Sequence, residues 1–507
     1  MSNNSETISK SAAIRARLKH PIIDSDGHIA EFEPAFFDHL KSVAGSRVVE
    51  RVKSLPDSPF SFRWYRLTPE QRRNERTPRL QWWVHPTRNT LDRATSSLPK
   101  LLHKRLDEMG LDFTIVYPSI GMFMLHLPDD ELRRASCRAY NNLHAEIFHE
   151  YHDRITPVAL IPMHSPEEAI DELNHAVTKL GLKAVLMPAF VRRPIAAAAR
   201  KNPESARYAF WLDNFCLDSE YDYDPVWARC LELKVAPTFH SPTGGLGTRT
   251  SISNFIYNHI GHFAASSEAI CKALFLGGVT RRFPGLRFAF LEGGVAWACT
   301  LYADLIGHWE KRHLKALANL DPANLDHELM RKLFREYGGD YGDGLAARVG
   351  EERSDLLWGR RENPGDLDEW SKCAIASKQD IRDLFVPKFF FGCEGDDRLA
   401  ALAFDTAKNP MGSRLGAIYS SDIGHWDLPD MRDAAHEAYE LLEDGLITEN
   451  DFRDFVFVNP VRAKTDVNPD FFKGTRVEHD VERLLRTIRS QSVTTTGGRD
   501  DTDAHRK

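Results

Sequence analysis

Eight short apolar runs recur along the chain, and helical patterns separate them. The runs cover 22–29, 113–120, 155–163, 182–190, 235–241, 285–293, 388–393 and 415–423. Each run is continuously apolar rather than alternating, which is typical of parallel strands that are buried on both faces. Eight such strands with helical crossovers predict an α/β fold, a (β/α)8 TIM-like barrel with large loop insertions. An open doubly wound sheet is the alternative that this pattern leaves open.

The segment 165–180 shows how the helices between the strands are expected to begin. Ser165 is a suitable N-cap residue, and Pro166 fits the first turn of a helix. Glu168 lies three residues after Ser165 and is predicted to complete a capping box with it. An amphipathic helix is therefore predicted between the third and the fourth strand.

The regions outside the strands predict one barrel with long insertions. Residues 1–19 are polar and basic and are predicted to form a flexible N-terminus, and the barrel is expected to span 20–475. The insertions lie at about 47–101, 191–223 and 308–387, and loops of this length usually serve as lids, binding loops or oligomer contacts. Residues 476–507 are predicted to form a C-terminal helix and a disordered tail.

The composition narrows the class of protein. The chain has 507 residues, of which 42% are apolar and 27% charged, and this is typical of a globular protein. Its net charge of −7 argues against a nucleic-acid partner, which would require a basic face. The N-terminus has no secretory signal pattern, and no apolar run is long enough for a membrane span. Seven cysteines without CxxC pairs predict reduced thiols and a cytoplasmic location.

Polar side chains close several of the predicted strands, at the end of a barrel where catalysis takes place. The first strand ends with Asp26 and His28, which are two residues apart and should face one side, with Asp24 in register behind them. The fifth strand ends with His240 and the eighth with Asp422. Burial of these groups costs free energy that a bound cation would offset. Two imidazoles and two carboxylates thus predict one divalent ion, with zinc favoured and manganese or iron as alternatives.

Further candidates lie on the same rim. Glu292 ends the sixth strand and is, with Asp422, a candidate catalytic base. Glu394 ends the seventh strand and His425 follows the eighth, and both are predicted to contact the substrate. His262 lies on the connection between the fifth and the sixth strand. It is a further catalytic candidate, with helix capping or packing as the alternative.

An arginine- and tryptophan-rich segment lies within the first insertion. Arg63 and Trp83 are predicted to bind an aromatic carboxylate, because arginine can meet a carboxylate with two parallel hydrogen bonds. The alternative is a solvated loop that packs its own tryptophans.

Four segments carry a resemblance to a known family. They are 24–34, 239–241, 277–294 and 421–425, of which 277–294 is the most specific. The sequence resembles the amidohydrolase superfamily, in the branch that is similar to aminocarboxymuconate-semialdehyde decarboxylase, over roughly 21–462. The resemblance implies a distorted barrel, one catalytic divalent metal with a bound water, and, by family habit, a homodimer.

The sequence departs from the family pattern at two positions. The family usually carries His-x-His or Glu-x-His on its first strand, whereas Asp26 occupies the first of these positions here and makes the site more anionic. The family commonly places a catalytic histidine after the sixth strand, and here that position is Glu292. No lysine or glutamate ends the fourth strand at 187–190, so a bridged two-metal site is not expected.

Three functions remain open from the sequence. The first is a metal-dependent hydrolase that acts through activated water on a small aromatic or cyclic carboxylate or carbonyl compound. The second is a non-oxidative decarboxylase of an aromatic or muconate-like acid, for which Glu292 would need a raised pKa to act as the acid. The third is a non-catalytic barrel scaffold, against which the charged rim argues.

Overall fold

The computed structural model describes residues 8–55, 60, 63–81, 88–241, 247–351 and 367–496, apart from the side chains of 322 and 492–496. Trp83, which the sequence analysis proposed as a substrate contact, lies outside the described residues. The same holds for the tail beyond residue 496.

Eight parallel strands form the centre of the molecule. The strands in the described residues are β1 (Ile23–Ile29), β2 (Phe113–Pro118), β3 (Ile155–Leu160), β4 (Ala184–Met187), β5 (Val191–Pro194), β6 (Phe210–Asp213), β7 (Pro237–Phe239), β8 (Phe288–Phe290), β9 (Phe389–Glu394) and β10 (Gly416–Ser420). The parallel sheet has the order β1-β2-β3-β4-β7-β8-β9-β10, and β5 and β6 form a separate antiparallel hairpin. Seven of the eight predicted runs contain one strand of the parallel sheet, and the run 388–393 overlaps β9, which ends one residue later.

The sheet closes between its first strand and the residues that follow its last one. The backbone N–H of Asp422 donates to the carbonyl of Asp26 at 3.0 Å, and that of His28 donates to the carbonyl of Ile423 at 2.7 Å. Closure leaves no open edge between these two strands. The predicted (β/α)8 barrel is therefore confirmed, and the open sheet is excluded.

Helices surround the barrel and fill the insertions. They are α1 (Lys10–Arg17), α2 (Glu33–Ser54), α3 (Arg63–Arg66), α4 (Pro69–Glu75), α5 (Thr90–Thr95), α6 (Pro99–Arg105), α7 (Gly121–Met124), α8 (Asp130–Ile147), α9 (Pro166–Leu173), α10 (Ala196–Lys201), α11 (Asp224–Glu232), α12 (Phe255–His259), α13 (His262–Leu276), α14 (Val279–Arg282), α15 (Ala296–Arg312), α16 (His327–Tyr337), α17 (Gly342–Arg348), α18 (Lys378–Phe385), α19 (Ala434–Glu443), α20 (Glu449–Arg453), α21 (Asn459–Thr465) and α22 (Glu478–Thr496). Two π-helical segments, Asn174–Lys179 and Asp454–Val458, directly follow α9 and α20. No helix in the described ranges is both long enough and apolar enough to span a bilayer.

A ladder of phenylalanines shows which face of the sheet packs on the helices. Phe239, Phe290 and Phe391 are register partners across β7, β8 and β9, and their rings stack at 5.6 and 5.9 Å. Trp297 of α15 packs edge-on against Phe290 and Phe391. Because successive residues of a strand point to opposite faces, the side chain of His240, next after Phe239, points into the barrel.

The N-terminal segment is more ordered than its composition suggests. Residues 10–17 form α1, with the Ser9 hydroxyl as N-cap of the Ala12 N–H and with Ile14 buried. The helix packs against α19. Besides Ile14, an ion pair between Arg15 and Asp112 and a hydrogen bond from the His436 N–H to the Ser11 hydroxyl hold this helix in place, so 10–17 are helical where the sequence predicted a flexible segment.

The helix α9 begins at the predicted position but lacks the predicted capping box. The Ser165 hydroxyl accepts the N–H of Glu168 at 3.2 Å, as expected. The Glu168 carboxylate instead accepts two hydrogen bonds, at 2.8 and 2.9 Å, from the fully buried Arg133 of α8. A tertiary ion pair with two parallel hydrogen bonds outcompetes the local bond to the N-cap backbone.

One buried histidine makes the stability of the protein depend on pH. His144 of α8 is fully buried between the rings of Tyr140 and Phe148, and burial lowers its pKa to about 4. Its contribution to stability is present above the unfolded-state pKa of about 6.5 and is lost as the pH falls towards 4. Lowering the pH from 8 to 5 should therefore cost the wild type about 2 kcal/mol more free energy of unfolding than it costs a His144→Leu protein.

Denaturant unfolding of both proteins at pH 8 and pH 5 measures this difference. A Tyr140→Phe protein is the matched control, since it alters a buried ring beside His144 without removing a group that titrates in this range. Parallel pH profiles for wild type and His144→Leu would contradict the assignment.

Candidate functional site

Five ligand-type side chains converge at the carboxyl-terminal end of the barrel, and we call them the rim centre. They are Asp26 and His28 of β1, His240 after β7, Glu292 after β8 and Asp422 after β10. The Nε2 atom of His28 lies 3.5 Å from Oδ1 of Asp26 and 3.2 Å from Oδ1 of Asp422. The Nε2 atom of His240 lies 2.7 Å from Oε2 of Glu292. The structure thus brings together all four predicted metal ligands and one predicted base.

A bulge in β1 separates Asp24 from the pair that it was expected to support. The pairing with β2 shifts register between Asp24 and Gly27. The Asp24 carboxylate turns to the barrel seam, where it accepts the Thr114 hydroxyl at 2.6 Å and the Ser421 N–H at 2.9 Å. A Cβ atom on Gly27 would lie 2.7 Å from Oδ2 of Asp24, so the bulge has no room for a side chain there. Asp24 is therefore a structural group that joins β1, β2 and the residues after β10.

A tight turn after β10 carries Asp422 to His28. Asp422 has a φ of 51° and Gly424 a φ of 97°. A Cβ atom on Gly424 would lie 2.5 Å from the carbonyl oxygen of His28. Glu292 also lies in the left-handed region, with a φ of 55°. Such backbone conformations are costly for residues other than glycine and cluster at functional sites.

The short contact between His240 and Glu292 requires a proton or a cation. Its Nδ1 atom lies 3.0 Å from the carbonyl of Ser241, so Nδ1 carries the proton and donates it. The lone pair of Nε2 then faces Oε2 of Glu292, and two acceptors at 2.7 Å need a proton or a cation between them. Burial lowers the pKa of His240, but its hydrogen bond to Glu292 and the charge of that residue outweigh burial and raise the pKa overall.

Two carboxylate oxygens of the rim centre also fit a cation. Oδ1 of Asp26 is buried and has no hydrogen-bond partner within the described part of the chain, and the buried Oδ1 of Asp422 faces the imidazole nitrogens of His28 and His425 at 3.2 and 2.9 Å. Burial raises the pKa of both carboxyl groups well above the usual range, and the charge of Glu292 raises it further. A divalent cation offsets both the desolvation and the mutual repulsion. The donor set of imidazole nitrogens and carboxylate oxygens suits zinc, manganese or iron.

A short chain of polar contacts extends from Asp422 to Ser119. The ring of His425 stacks on His28 at 3.8 Å, and its Nδ1 atom lies 2.9 Å from Oδ1 of Asp422. The Ser119 hydroxyl lies 2.9 Å from Nε2 of His425 and 3.0 Å from the carbonyl of Ile29. His425 is thus held on both sides beside the rim centre. Ser119 was not predicted as a site residue, because only its position directly after β2 could have suggested it.

Two more carboxyl groups lie beside the rim centre. Burial raises the pKa of Glu394 well above its usual range, and Glu292 and Asp427 raise it further. Burial also raises the pKa of Asp427 to about 6, against the effect of its hydrogen bond with Asp422. Asp427 was not among the predicted site residues, although it belongs to the same turn as Asp422.

A cavity opens beside these groups and has mostly apolar walls. Its lining residues are Gln81, Ser119, Ile120, Met122, Phe123, Phe255, His259, Glu292, His425, Trp426 and Asp427. Glu292 of the rim centre is among the polar members, and His425 and Asp427 contact Asp422. No lysine or arginine is among these lining residues. The cavity therefore suits a small apolar or aromatic group whose polar end reaches the rim centre.

The first insertion docks beside the segment that precedes α12, and a stacked tryptophan makes part of this contact. The guanidinium groups of Arg72 and Arg79 lie 3.6 and 3.8 Å from the ring centre of Trp64. The indole N–H of Trp64 donates to the carbonyl of Ile252 at 3.0 Å, and the Arg79 N–H donates to the carbonyl of Ser251 at 2.9 Å. These contacts dock the insertion on the segment that supplies two cavity residues, at positions 255 and 259.

Besides Glu394, two of the predicted site residues lie outside both the cavity lining and the rim centre. Arg63 forms an ion pair with Glu75 within the first insertion. His262 begins α13, is buried, and packs its ring edge-on against Phe263 at 5.4 Å. The lining of the described cavity and the rim centre contain neither of them.

The chain is similar to proteins of one known family. A family model described as Amidohydrolase matches residues 82–337, which is just over half of the chain. Among solved structures, an amidohydrolase from Mycobacterium avium subsp. paratuberculosis K-10 is 16% identical with a TM-score of 0.46, over 88% of this chain and 99% of its own. A dihydroxybenzoic acid decarboxylase from Polaromonas sp. JS666, with bound manganese and 2-nitroresorcinol, is 15% identical with a TM-score of 0.43, over 88% and 97%. The 4-oxalomesaconate hydratase of Rhodopseudomonas palustris is 13% identical with a TM-score of 0.42, over 93% and 99%.

Proposed function

Because the chain belongs to the amidohydrolase family, we propose that its rim centre binds one divalent metal ion and hydrolyses a small organic substrate there. The proposed metal ligands are Asp26, His28, His240 and Asp422. Glu292 and Asp422 are the proposed bases, and His425 and Glu394 the proposed substrate contacts.

The contact between His240 and Glu292 carries this proposal. Its two acceptor atoms lie 2.7 Å apart in a buried place, and the tautomer of His240 is fixed by Ser241. A structural histidine would turn an N–H towards the carboxylate, whereas a metal ligand turns its lone pair inward and binds a carbonyl with its other nitrogen. A bound cation satisfies both acceptor atoms, and a proton shared by His240 and Glu292 is the alternative from which elemental analysis of the protein distinguishes it.

The residues of the chain perform three tasks in the proposed reaction. A bound divalent ion supplies Lewis acidity and lowers the pKa of a water molecule, towards about 7 in favourable zinc sites. Glu292 accepts the proton of the attacking water and passes it to the leaving group. Ser119 and Asp422 hold the ring of His425 from both sides, so that its edge has one orientation towards the substrate. The apolar walls exclude other water molecules.

The proposed substrate is a small aromatic or cyclic carbonyl compound. Ile120, Met122, Phe123 and Phe255 offer flat apolar contacts to a ring, and Trp426 closes the cavity from the turn after β10. The predicted contact between a substrate carboxylate and Arg63 has little support, because the Arg63 guanidinium already forms an ion pair with Glu75. A substrate carboxylate or carbonyl would instead reach the bound ion.

We propose zinc as the resident ion, with manganese and iron as alternatives. Two imidazoles favour zinc, and the larger share of carboxylate oxygen that Asp26 brings favours manganese or iron. Elemental analysis of purified protein distinguishes them, and one equivalent of a single metal is expected.

A second candidate function is supported by Asp427. Its pKa of about 6 leaves part of the carboxyl group protonated near neutral pH, within the cavity lining. Such a group can donate a proton to a ring carbon, which is the step that a non-oxidative decarboxylase needs. Under this alternative the substrate is an aromatic or muconate-like acid.

Product analysis in ¹⁸O-labelled water tests the proposed hydrolysis. Panels of aromatic esters, amides and β-diketones are compared with a panel of hydroxybenzoates, each with the metal-loaded protein and with protein treated with a chelator. Hydrolysis places one ¹⁸O atom in the product and depends on metal. Carbon dioxide release without ¹⁸O in the remaining product would instead establish the decarboxylase. Equal turnover by chelated and loaded protein would contradict both.

A homodimer is proposed from the family resemblance alone. Light scattering of the full chain tests it, and a mass near 58 kDa, that of one chain, would contradict it.

A further inference from the structure

Glu31 is a buried acidic residue near the rim centre that the proposed reaction does not use. It lies two residues after the end of β1, within the segment 24–34 that carries part of the family resemblance. It is 7% exposed, and it forms no ion pair within the described residues. A buried carboxylate usually has a cation beside it, because its removal from water costs free energy. The partners of Glu31 must therefore be of another kind.

These partners are two backbone N–H groups of one segment. Oε2 of Glu31 accepts the N–H of Ile120 at 2.9 Å, and Oε1 accepts the N–H of Gly121 at 3.2 Å. Both donors lie in residues 119–123, directly after β2, which we call the wall segment. A charged acceptor binds an N–H group more strongly than a neutral one does. Burial raises the pKa of Glu31 to about 7, and these hydrogen bonds oppose the rise, so the carboxylate form predominates at pH 8.

The wall segment supplies a large part of the cavity beside the rim centre. Ser119, Ile120, Met122 and Phe123 are four of the eleven residues that line this cavity. The Ser119 hydroxyl also lies 2.9 Å from Nε2 of His425, a proposed substrate contact. The position of the wall segment therefore affects both the shape of the cavity and the orientation of the His425 ring.

The wall segment is attached to the end of β1 at consecutive positions. The N–H and the hydroxyl of Ser119 both donate to the carbonyl of Ile29, at 3.1 and 3.0 Å. Glu31 binds the next two N–H groups. A Cβ atom on Gly121 would lie 2.7 Å from Cβ of Pro118 and 3.2 Å from Oε1 of Glu31, so the carboxylate packs directly against this backbone. Ile29 thus holds the start of the segment, and Glu31 holds the part that continues into the cavity lining.

We propose that Glu31 is a positioning residue, whose carboxylate holds the wall segment, and through Ser119 the ring of His425, where the substrate binds. Glu31 acts through these residues, since it is not among the residues that line the cavity. Its effect on turnover rests on the proposed function. The attachment itself needs neither metal nor substrate.

Hydrogen–deuterium exchange of a Glu31→Gln protein at pH 8, without substrate, tests the attachment. The amide oxygen can accept one of the two N–H groups, whereas the NH₂ group meets the other N–H as a second donor. Exchange in peptides that cover 119–127 should therefore become at least about tenfold faster, because a hydrogen bond to a charged acceptor is lost. A Glu33→Gln protein is the matched control, altered at an exposed carboxylate in the first turn of α2, and should exchange as the wild type does.

Kinetics on a compound that the wild type hydrolyses test the positioning role. Glu31→Gln should raise KM at least about tenfold and change kcat less than about threefold, because contacts that bind the substrate are displaced while the rim centre is kept. Its metal content should equal that of the wild type. A role in stability alone would lower the amount of folded protein and leave KM unchanged.

A second variant keeps the test decisive if Glu31→Gln does not fold. Glu31→Asp keeps the charge on a side chain that is too short to reach both N–H groups, and should raise KM about threefold. Unchanged exchange in the variants, or faster exchange with an unchanged KM, would overturn the proposal. Unprotected amides of Ile120 and Gly121 in the wild type would overturn it as well. If the wild type turns over none of the compounds, the proposed function fails, and the exchange results still decide whether Glu31 holds the wall segment.

Discussion

A His240→Ala protein is expected to lose its metal and at least about 1000-fold in turnover while keeping its fold. The metal is expected to contribute several kcal/mol to the transition state, and each 1.36 kcal/mol is a factor of ten in rate. Removal of the Nε2 atom leaves Glu292 and Asp26 as unbalanced carboxylates in a buried place. Elemental analysis, turnover and circular dichroism measure the three effects on one preparation.

A His20→Ala protein is the matched control for this substitution. His20 is a partly buried histidine just before β1, at the amino end of the barrel, and its ring stacks on Phe457 at 6.2 Å. Its replacement should leave the metal content and turnover unchanged. Stoichiometric metal and full activity in His240→Ala would contradict the assignment of the rim centre.

An Arg133→Met protein is expected to lose about 3–5 kcal/mol of stability. Arg133 is fully buried and holds Glu168 through two hydrogen bonds, at 2.8 and 2.9 Å. Removal of the guanidinium leaves the carboxylate of Glu168, which is 5% exposed, without its counter-charge. The free-energy cost of burying that charge is then no longer offset. Denaturant unfolding of the metal-loaded protein measures the loss.

The double variant Arg133→Met/Glu168→Met distinguishes charge from packing. It removes both charges and retains apolar volume, so most of the lost stability should return. A Lys272→Met protein, which breaks an exposed pair with Glu268 at 3.0 Å, should show no measurable change. If the double variant is as unstable as the single one, the contribution of Arg133 is packing or its bond to the carbonyl of Leu127 rather than the ion pair.

The barrel was predictable because a strand that is buried on both faces has a recognisable sequence pattern. A parallel strand covered by helices outside and side chains inside has no solvated face, so it appears as a continuous apolar run. All eight runs overlap a barrel strand, although most of the strands are shorter than their runs, as at β7 and β8. The helix α1 was missed because one buried isoleucine and one cap give little signal in a basic segment.

The barrel fold predicts that the rim residues lie close together, but it does not predict which way each side chain points. Strand ends meet at one rim in any barrel, so Asp26, His28, His240 and Asp422 could be grouped from the sequence. The bulge in β1 turned Asp24 away to the seam, and a bulge depends on the pairing with the neighbouring strand rather than on local pattern.

The surroundings of the rim centre were decided by contacts between distant parts of the chain. Ser119 meets His425 across 306 positions, and Trp64 docks on Ile252 across 188. Such contacts cannot be predicted from the spacing of residues within one segment. Arg63, which was expected to contact the substrate, forms an ion pair within its own insertion instead.

The sequence by itself therefore determined the barrel, the end at which its chemistry takes place and the four proposed ligands of its metal, because burial and strand order are local properties of the chain. Only the tertiary structure decided which groups contact those ligands and which residues line the cavity. Those features arise where segments remote in sequence pack together, and their free energy comes from contacts that no single segment contains.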